Sequence, residues 1–192
     1  MSERIRSFIA FDIENEQVLR RIAAAQKLLM ETGADLKFVE PQNIHVTMRF
    51  LGDISPTMVD KIHDAMKNVK FMPFTIKLQG LGVFPSVNYP RVVWVAMTEG
   101  ADQLKNIYSQ LEPQIRSLGF AADDHGFSPH LTIARVRSGA NKQHLAELVT
   151  KKADYEFGTI KADCLRLKKS MLSPKGPTYL TLREYCPVMK QQ

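Results

Sequence analysis

The feature that most constrains this chain is a strand pattern that occurs twice. Residues 43–52 read NIHVTMRFLG and residues 128–136 read SPHLTIARV. Each is an apolar run holding a histidine and, two residues on, a threonine: His45 with Thr47, and His130 with Thr132. His130 follows His45 by 85 residues, and a shift of about that size also lays SFIAF (7–11) over VWVAM (93–97) and RVVWVAM over TYLTLRE. One β/α unit is used twice. Two copies are too few for a solenoid, so the expected architecture is a pseudo-symmetric pair of α+β lobes in one domain spanning 1–192, with repeats of about 1–98 and 93–192.

Hydrophobic periodicity fills in the elements. Residues 5–13 are rich in β-branched and aromatic types and predict a strand; a helix over 15–33 follows, with Val18, Ile22, Ala25 and Leu29 at spacings of three and four. After the strand 43–51, Ser55 and Pro56 predict a helix start, with Val59, Ile62, Ala65 and Met66 on one side. Strands at 72–83 and 91–98 flank the turn-forming PSVNYP. The second half repeats the order, with helices at 101–118 and 141–152 around a strand at 129–136. Strands at 155–171 and 178–186 then flank the turn SPKGP.

Side chains at i and i+2 of a strand share a face, so each histidine emerges beside its threonine while Val46 and Leu131 point into apolar packing. If the lobes meet about a pseudo-two-fold axis, two imidazoles and two hydroxyls converge on one volume. A lone core histidine bonded to a carbonyl is the plainer reading of either motif, but it does not explain the repetition. Metal binding is the weaker alternative: there is no HExxH, no carboxylate within two residues of either histidine, and threonine is a poor zinc ligand. Imidazole titrates nearest neutrality, so one histidine can act as base while the other acts as acid. Threonine hydroxyls donate to the non-bridging oxygens of a phosphoryl group. In-line displacement at phosphorus needs this division of labour. His63, His125 and His144 read as solvated helix and loop positions.

Composition narrows the class. A charge of +6 and a pI near 9.3 favour an anionic partner without naming one. No 18-residue apolar window is present, and the apolar start soon meets Asp12 and Glu14, so the sequence predicts a cytoplasmic protein with neither membrane span nor signal peptide. Cys164 and Cys186 sit in no ligand spacing and read as two reduced thiols. The basic stretch LRLKKSMLSPKG (165–176) reads as the solvated face of an amphipathic strand, with Arg166 and Lys168 outward.

FVEPQNIHVTMRFLGDI and FSPHLTIARV together resemble the paired motifs of the two-histidine phosphoesterase superfamily, and within it the RNA 2',3'-cyclic phosphodiesterases, also known as 2'-5' RNA ligases. The opening RSFIAFDI, GVFPS with PRVVWV, and SMLSPKGPTYL match in order, so the likeness runs along nearly the whole chain. It implies a bilobal α+β fold with two antiparallel-rich sheets lining a central groove and helices packed outside. It also implies metal-independent hydrolysis of an RNA 2',3'-cyclic phosphate end to a 2'-phosphate, with no cofactor, and possible reverse 2'-5' ligation. His45 and His130 take the catalytic places, and Thr47 and Thr132 those of phosphate contacts. Arg135 matches a basic position near the groove, although strict alternation from His130 would aim it away. Met48 and Arg49 stand where relatives often carry leucine and a lysine or arginine. The expected scheme has His130 accept a proton from water and His45 donate to the departing 3'-oxygen, an order that the symmetry of the motifs does not distinguish from its reverse.

The partner expected is an RNA or oligonucleotide with a cyclic end, met by a monomer, with specificity in the loops 84–91 and 171–178. Phe84, Tyr89 and Phe127 are candidates for base stacking, set against a packing role. A linear 2',5'-phosphodiesterase, a non-catalytic RNA-end binder and an interaction module are the rival readings. A second imidazole argues against a mere binder.

Overall fold

A computed structural model describes residues 4–123, 126–174 and 176–187. The expectations for His125 and for Lys175 in the turn SPKGP lie outside these residues. In chain order the elements are β1 (Ile5–Asp12), α1 (Glu16–Glu31), β2 (Leu36–Phe38), a 3-10 turn (Pro41–Asn43), β3 (His45–Ile54) and α2 (Met58–Lys67). There follow β4 (Phe74–Ser86), β5 (Tyr89–Glu99), α3 (Ala101–Ser117), β6 (Leu131–Val136), α4 (Lys142–Lys151), β7 (Glu156–Ala162), β8 (Leu165–Ser173) and β9 (Gly176–Tyr185).

The strands form two antiparallel sheets, one ordered β3-β1-β8-β9 and the other β2-β6-β5-β4-β7. The core strands correspond in pairs: β3 with β6, β1 with β5, and β8 with β4. The motif strands β3 and β6 approach each other where the sheets meet. Each sheet draws on both halves of the chain, because β8 and β9 return to β1 while β4 crosses to β5.

The helices bury the stripes their periodicity predicts. Val18, Ile22, Ala25 and Leu29 of α1 face inward, as do Val59, Ile62, Ala65 and Met66 of α2. Helix α1 packs on β6 and β7 of the second sheet, whereas α2 lies on β8 and β9 of the first. The Asn15 side chain caps α1 through the amides of Gln17 and Val18, and its Nδ2 donates to the carbonyl of Thr159 on β7. One contiguous apolar core results.

Several sequence expectations need correction. The predicted strand 155–171 is two strands, because the chain leaves the second sheet at Ala162 and joins the first at Leu165. Helix α2 starts at Met58 rather than beside Ser55, whose hydroxyl contacts that of Thr57. The PSVNYP turn contracts to the two residues Val87 and Asn88. Strand β2 and the 3-10 turn carry too few residues for a periodic signal.

The basic stretch is not a solvated face. Lys168 is buried and pairs with Asp12 at 2.6 Å, and Arg166 pairs with Glu184 at 2.6 Å and Glu14 at 3.1 Å. The cysteines are not reduced thiols: Cys164 and Cys186 form a disulfide. The register of β8 with β9 pairs Leu165 with Tyr185, so the residues just outside that pair meet across the hairpin.

Candidate active site

His45 opens β3 directly after the 3-10 turn, and its Nδ1 lies 2.7 Å from the carbonyl oxygen of Asn43. His130, just before β6, places Nδ1 2.7 Å from the carbonyl of Ser128. A carbonyl can only accept, so each Nδ1 carries the hydrogen and donates it. Nε2 is then the nitrogen that gains or loses a proton, in both lobes by the same local bond. Asn43 is itself buried and held by its Nδ2 donating to the carbonyl of Pro177 on β9.

Aromatic rings from neighbouring strands brace both imidazoles. Phe8 on β1 lies 4.7 Å from His45 between centroids, with Tyr179 edge-on at 5.3 Å. Phe84 meets His130 edge-on at 5.0 Å, with Trp94 on β5 at 6.5 Å. Phe8 and Trp94 hold equivalent places in the repeat. The Trp94 ring rests on Gly82, where a Cβ would come within 2.3 Å of it. Burial lowers the pKa of His45 below the usual histidine value; its bond to Asn43 and the charge of Asp12 act in the opposite sense, while Lys168 and Arg135 add to the lowering.

Arg135 reaches the groove because of a β-bulge. On β6, Trp94 pairs with Thr132 and Val93 with Ala134, leaving Ile133 unmatched. On β3, Ala10 pairs with Thr47 and Ile9 with Arg49, leaving Met48 unmatched. In both lobes the extra residue follows the motif threonine. It reverses the alternation beyond it, so Arg135 turns toward the groove instead of away. Phe50 takes the equivalent place in the first lobe. Arg49 instead turns to α3, where Nε donates to Glu112 at 2.6 Å with both side chains largely buried. The second bulge is pinned at the carbonyl of Ile133, which accepts from the amide of Val39 and from Nε2 of Gln26, both at 3.0 Å.

His45, Thr47, His130, Thr132 and Arg135 line one cavity of about 780 Å³ between the two sheets. That volume lies within the range of small-ligand sites. Arg6 and Lys37 add positive charge to the wall, where Glu40 is the one carboxylate among the described lining residues. Phe50, 61% exposed, and Tyr179 offer aromatic surface. The lining thus offers two proton-transfer groups, two hydroxyls and three permanent cations, a set suited to an anion that undergoes acid-base chemistry.

The sequence missed Arg6, Lys37, Phe50 and Tyr179. The repeat itself contained the signal for Phe50, since the shift of 85 that relates the histidines lays it over Arg135. Of the aromatic candidates, Phe84 packs under His130, Phe127 stacks on Tyr108 at 4.6 Å, and Tyr89 lines a different cavity; none lines the groove. Loop 171–178 borders it through Leu172 and Pro177, whereas no residue of 84–91 does. His144 is exposed on α4, and His63 on α2 contacts the carbonyl of Glu184 at 2.9 Å. Among the described residues no helix is long and apolar enough to cross a membrane.

Comparison with known proteins places the fold and the family. The chain is 37% identical over 164 residues to an RNA 2',3'-cyclic phosphodiesterase of Aeropyrum pernix, covering 85% of this chain and 93% of that one. It is 33% identical over 184 residues to the protein of the same name from Aquifex aeolicus, covering 94% and 96%. Its fold superposes on a crystal structure of a Thermus thermophilus protein with a TM-score of 0.76 at 25% identity, over 94% of this chain and 97% of that one. It also superposes on E. coli LigT in complex with 3'-AMP, with a TM-score of 0.80 at 20% identity, over 97% and 100%. The LigT-like phosphoesterase family model matches twice, over residues 13–94 and 95–179, so each match contains one histidine motif. Two matches that meet at residue 94 and leave only the chain's ends uncovered place this protein in the LigT-like phosphoesterase family.

Proposed function

We propose that the protein hydrolyses the 2',3'-cyclic phosphate at an RNA end to a 2'-phosphate, using His45 and His130 as an acid-base pair without a metal ion. The observation that carries this reading is the matched presentation of the two imidazoles, each tied at Nδ1 and each beside a threonine, on opposite walls of one cationic groove. The names of the relatives point to the same substrate. In this scheme Thr47, Thr132 and Arg135 hold the non-bridging oxygens. One Nε2 takes a proton from the attacking water, and the other gives one to the 3'-oxygen as its bond to phosphorus breaks.

The two possible assignments use the same singly protonated groove and give the same bell-shaped pH profile. Burial disfavours the protonated form of His45. That makes His45 the base and His130 the acid, the second of the two orders that the motif symmetry allows.

The test is an RNA oligonucleotide with a cyclic end, incubated in excess EDTA, with the terminal phosphate of the product identified. The expected product is a 2'-phosphate, lost by orders of magnitude in both His45→Ala and His130→Ala. Thr47→Ala and Thr132→Ala should each cost about 2.7 to 4 kcal/mol of transition-state stabilisation if they act as oxyanion donors do. Full activity in either histidine variant would refute the scheme. Tight binding with no turnover would favour an RNA-end binder.

A further inference from the structure

We infer that a second, cationic cavity beside the groove binds a backbone phosphate of the RNA whose cyclic end occupies the active site. This rests on the function proposed above. The cavity, about 190 Å³, is lined by Tyr89 and Arg91 of β5, by Arg137, Ser138 and Gly139 after β6, and by Lys142 at the start of α4.

Its position follows from strand register. Val92 pairs with Arg135, and both line the catalytic groove. Arg91 is the next residue along β5, and Arg137 lies two residues beyond Arg135. At roughly 3.3 Å per residue, the two sites are separated by about 3 to 7 Å of backbone. Phosphates follow one another at roughly 3.4 Å along one strand of a DNA duplex, so a chain leaving the groove past Val92 arrives here within a few nucleotides.

Its chemistry is one-signed. Arg91, Arg137 and Lys142 are exposed and have no carboxylate partner among the described residues, whereas Arg49, Arg166, Lys168 and Arg183 are all paired. Three like charges around one small cavity repel one another unless an anion joins them. Arg91 is also held in place: its Nη2 donates to the Tyr89 hydroxyl, and the guanidinium lies 4.7 Å from the ring centroid. Its remaining donors are free for a phosphate fork. The Asn141 side chain makes no cap bond and instead donates to the carbonyl of Gly33. A phosphodiester beside the groove satisfies the three cations together.

The test compares two substrates with the same cyclic end, a mononucleotide 2',3'-cyclic phosphate and a six-nucleotide RNA. The variant combines Arg91→Ala, Arg137→Ala and Lys142→Ala. The expected result is a KM for the hexamer raised about tenfold, with kcat unchanged and both constants for the mononucleotide unchanged. The slope of log KM against log salt for the hexamer should fall by about 0.7 for each phosphate that the variant no longer neutralises. A methylphosphonate linkage that removes the contacted charge should raise KM in the native protein and not in the variant. No change for the hexamer, or equal change for both substrates, overturns the inference. If the native protein turns over neither substrate, the proposed function fails separately. Fluorescence anisotropy with the same hexamer then judges the cavity: tenfold weaker binding in the variant supports it and unchanged binding overturns it.

Discussion

At the scale of single residues, the proposed acid-base chemistry rests on two imidazoles that the fold places in different surroundings. Burial holds the folded pKa of His45 below 6.5, so between that lowered value and 6.5 the unfolded chain binds more protons than the folded one. Stability should therefore fall as pH drops through this window. Thermal unfolding across pH 5 to 7 should show it, with a shallower slope in His45→Gln; identical slopes would remove burial as the cause. Arg49 illustrates the opposite use of a motif residue, since it bridges β3 to α3 rather than facing the groove. Glu112→Ala leaves its largely buried guanidinium without its ion pair, held only by the carbonyls of Phe50 and Ala121, and denaturant unfolding should register a loss of about 3 kcal/mol. The histidines and threonines were legible in the sequence because HxT repeats in register. Tyr179 was not, because an aromatic residue in a strand carries no mark of whether it faces a groove or a core, and Phe50 was legible only through its match to Arg135 under the 85-residue shift.

At the scale of elements, the bulge after each motif threonine determines what else enters the site. Period-two reading carries Arg135 away from His130, and one unmatched residue at Ile133 brings it back. Bulges leave little trace in composition, so the family resemblance anticipated the position of Arg135 where alternation did not. Gln26 makes the bulge a specific structure by donating to the carbonyls of Val39 and Ile133. Gln26→Ala should cost about 1 to 3 kcal/mol, because the Val39 carbonyl loses this donor and the Ile133 carbonyl keeps only the Val39 amide. It should also lower kcat/KM by loosening Arg135, while Gln26→Glu, which replaces the donating amide with a carboxylate, should not restore either. Helix and strand positions were otherwise readable from periodicity. Where prediction failed, at the break between β7 and β8 and at β2, the cause is tertiary: the chain changes sheets, or a short segment pairs only because Val136 lies opposite Leu36.

At the scale of the whole molecule, the two motif strands stand on different sheets that wall one groove, and the differences between them make the walls unequal. One wall carries Arg135 and the other Phe50 at matching places; one histidine is depressed in pKa by burial beside the Asp12 and Lys168 pair. The repeat was visible in sequence, but the exchange of strands between sheets was not, since it depends on which edges pair. The disulfide and the buried cations of β8 were misread for the same reason: both follow from partners distant in the chain. The central claim is that the two lobes supply one base and one acid to a single phosphate. The most direct measurement uses a cyclic end whose bridging 3'-oxygen is replaced by sulfur, a leaving group that needs no acid. Single-turnover rates should recover in His130→Ala and stay low in His45→Ala. Equal defects in both variants would contradict the division of labour between the lobes.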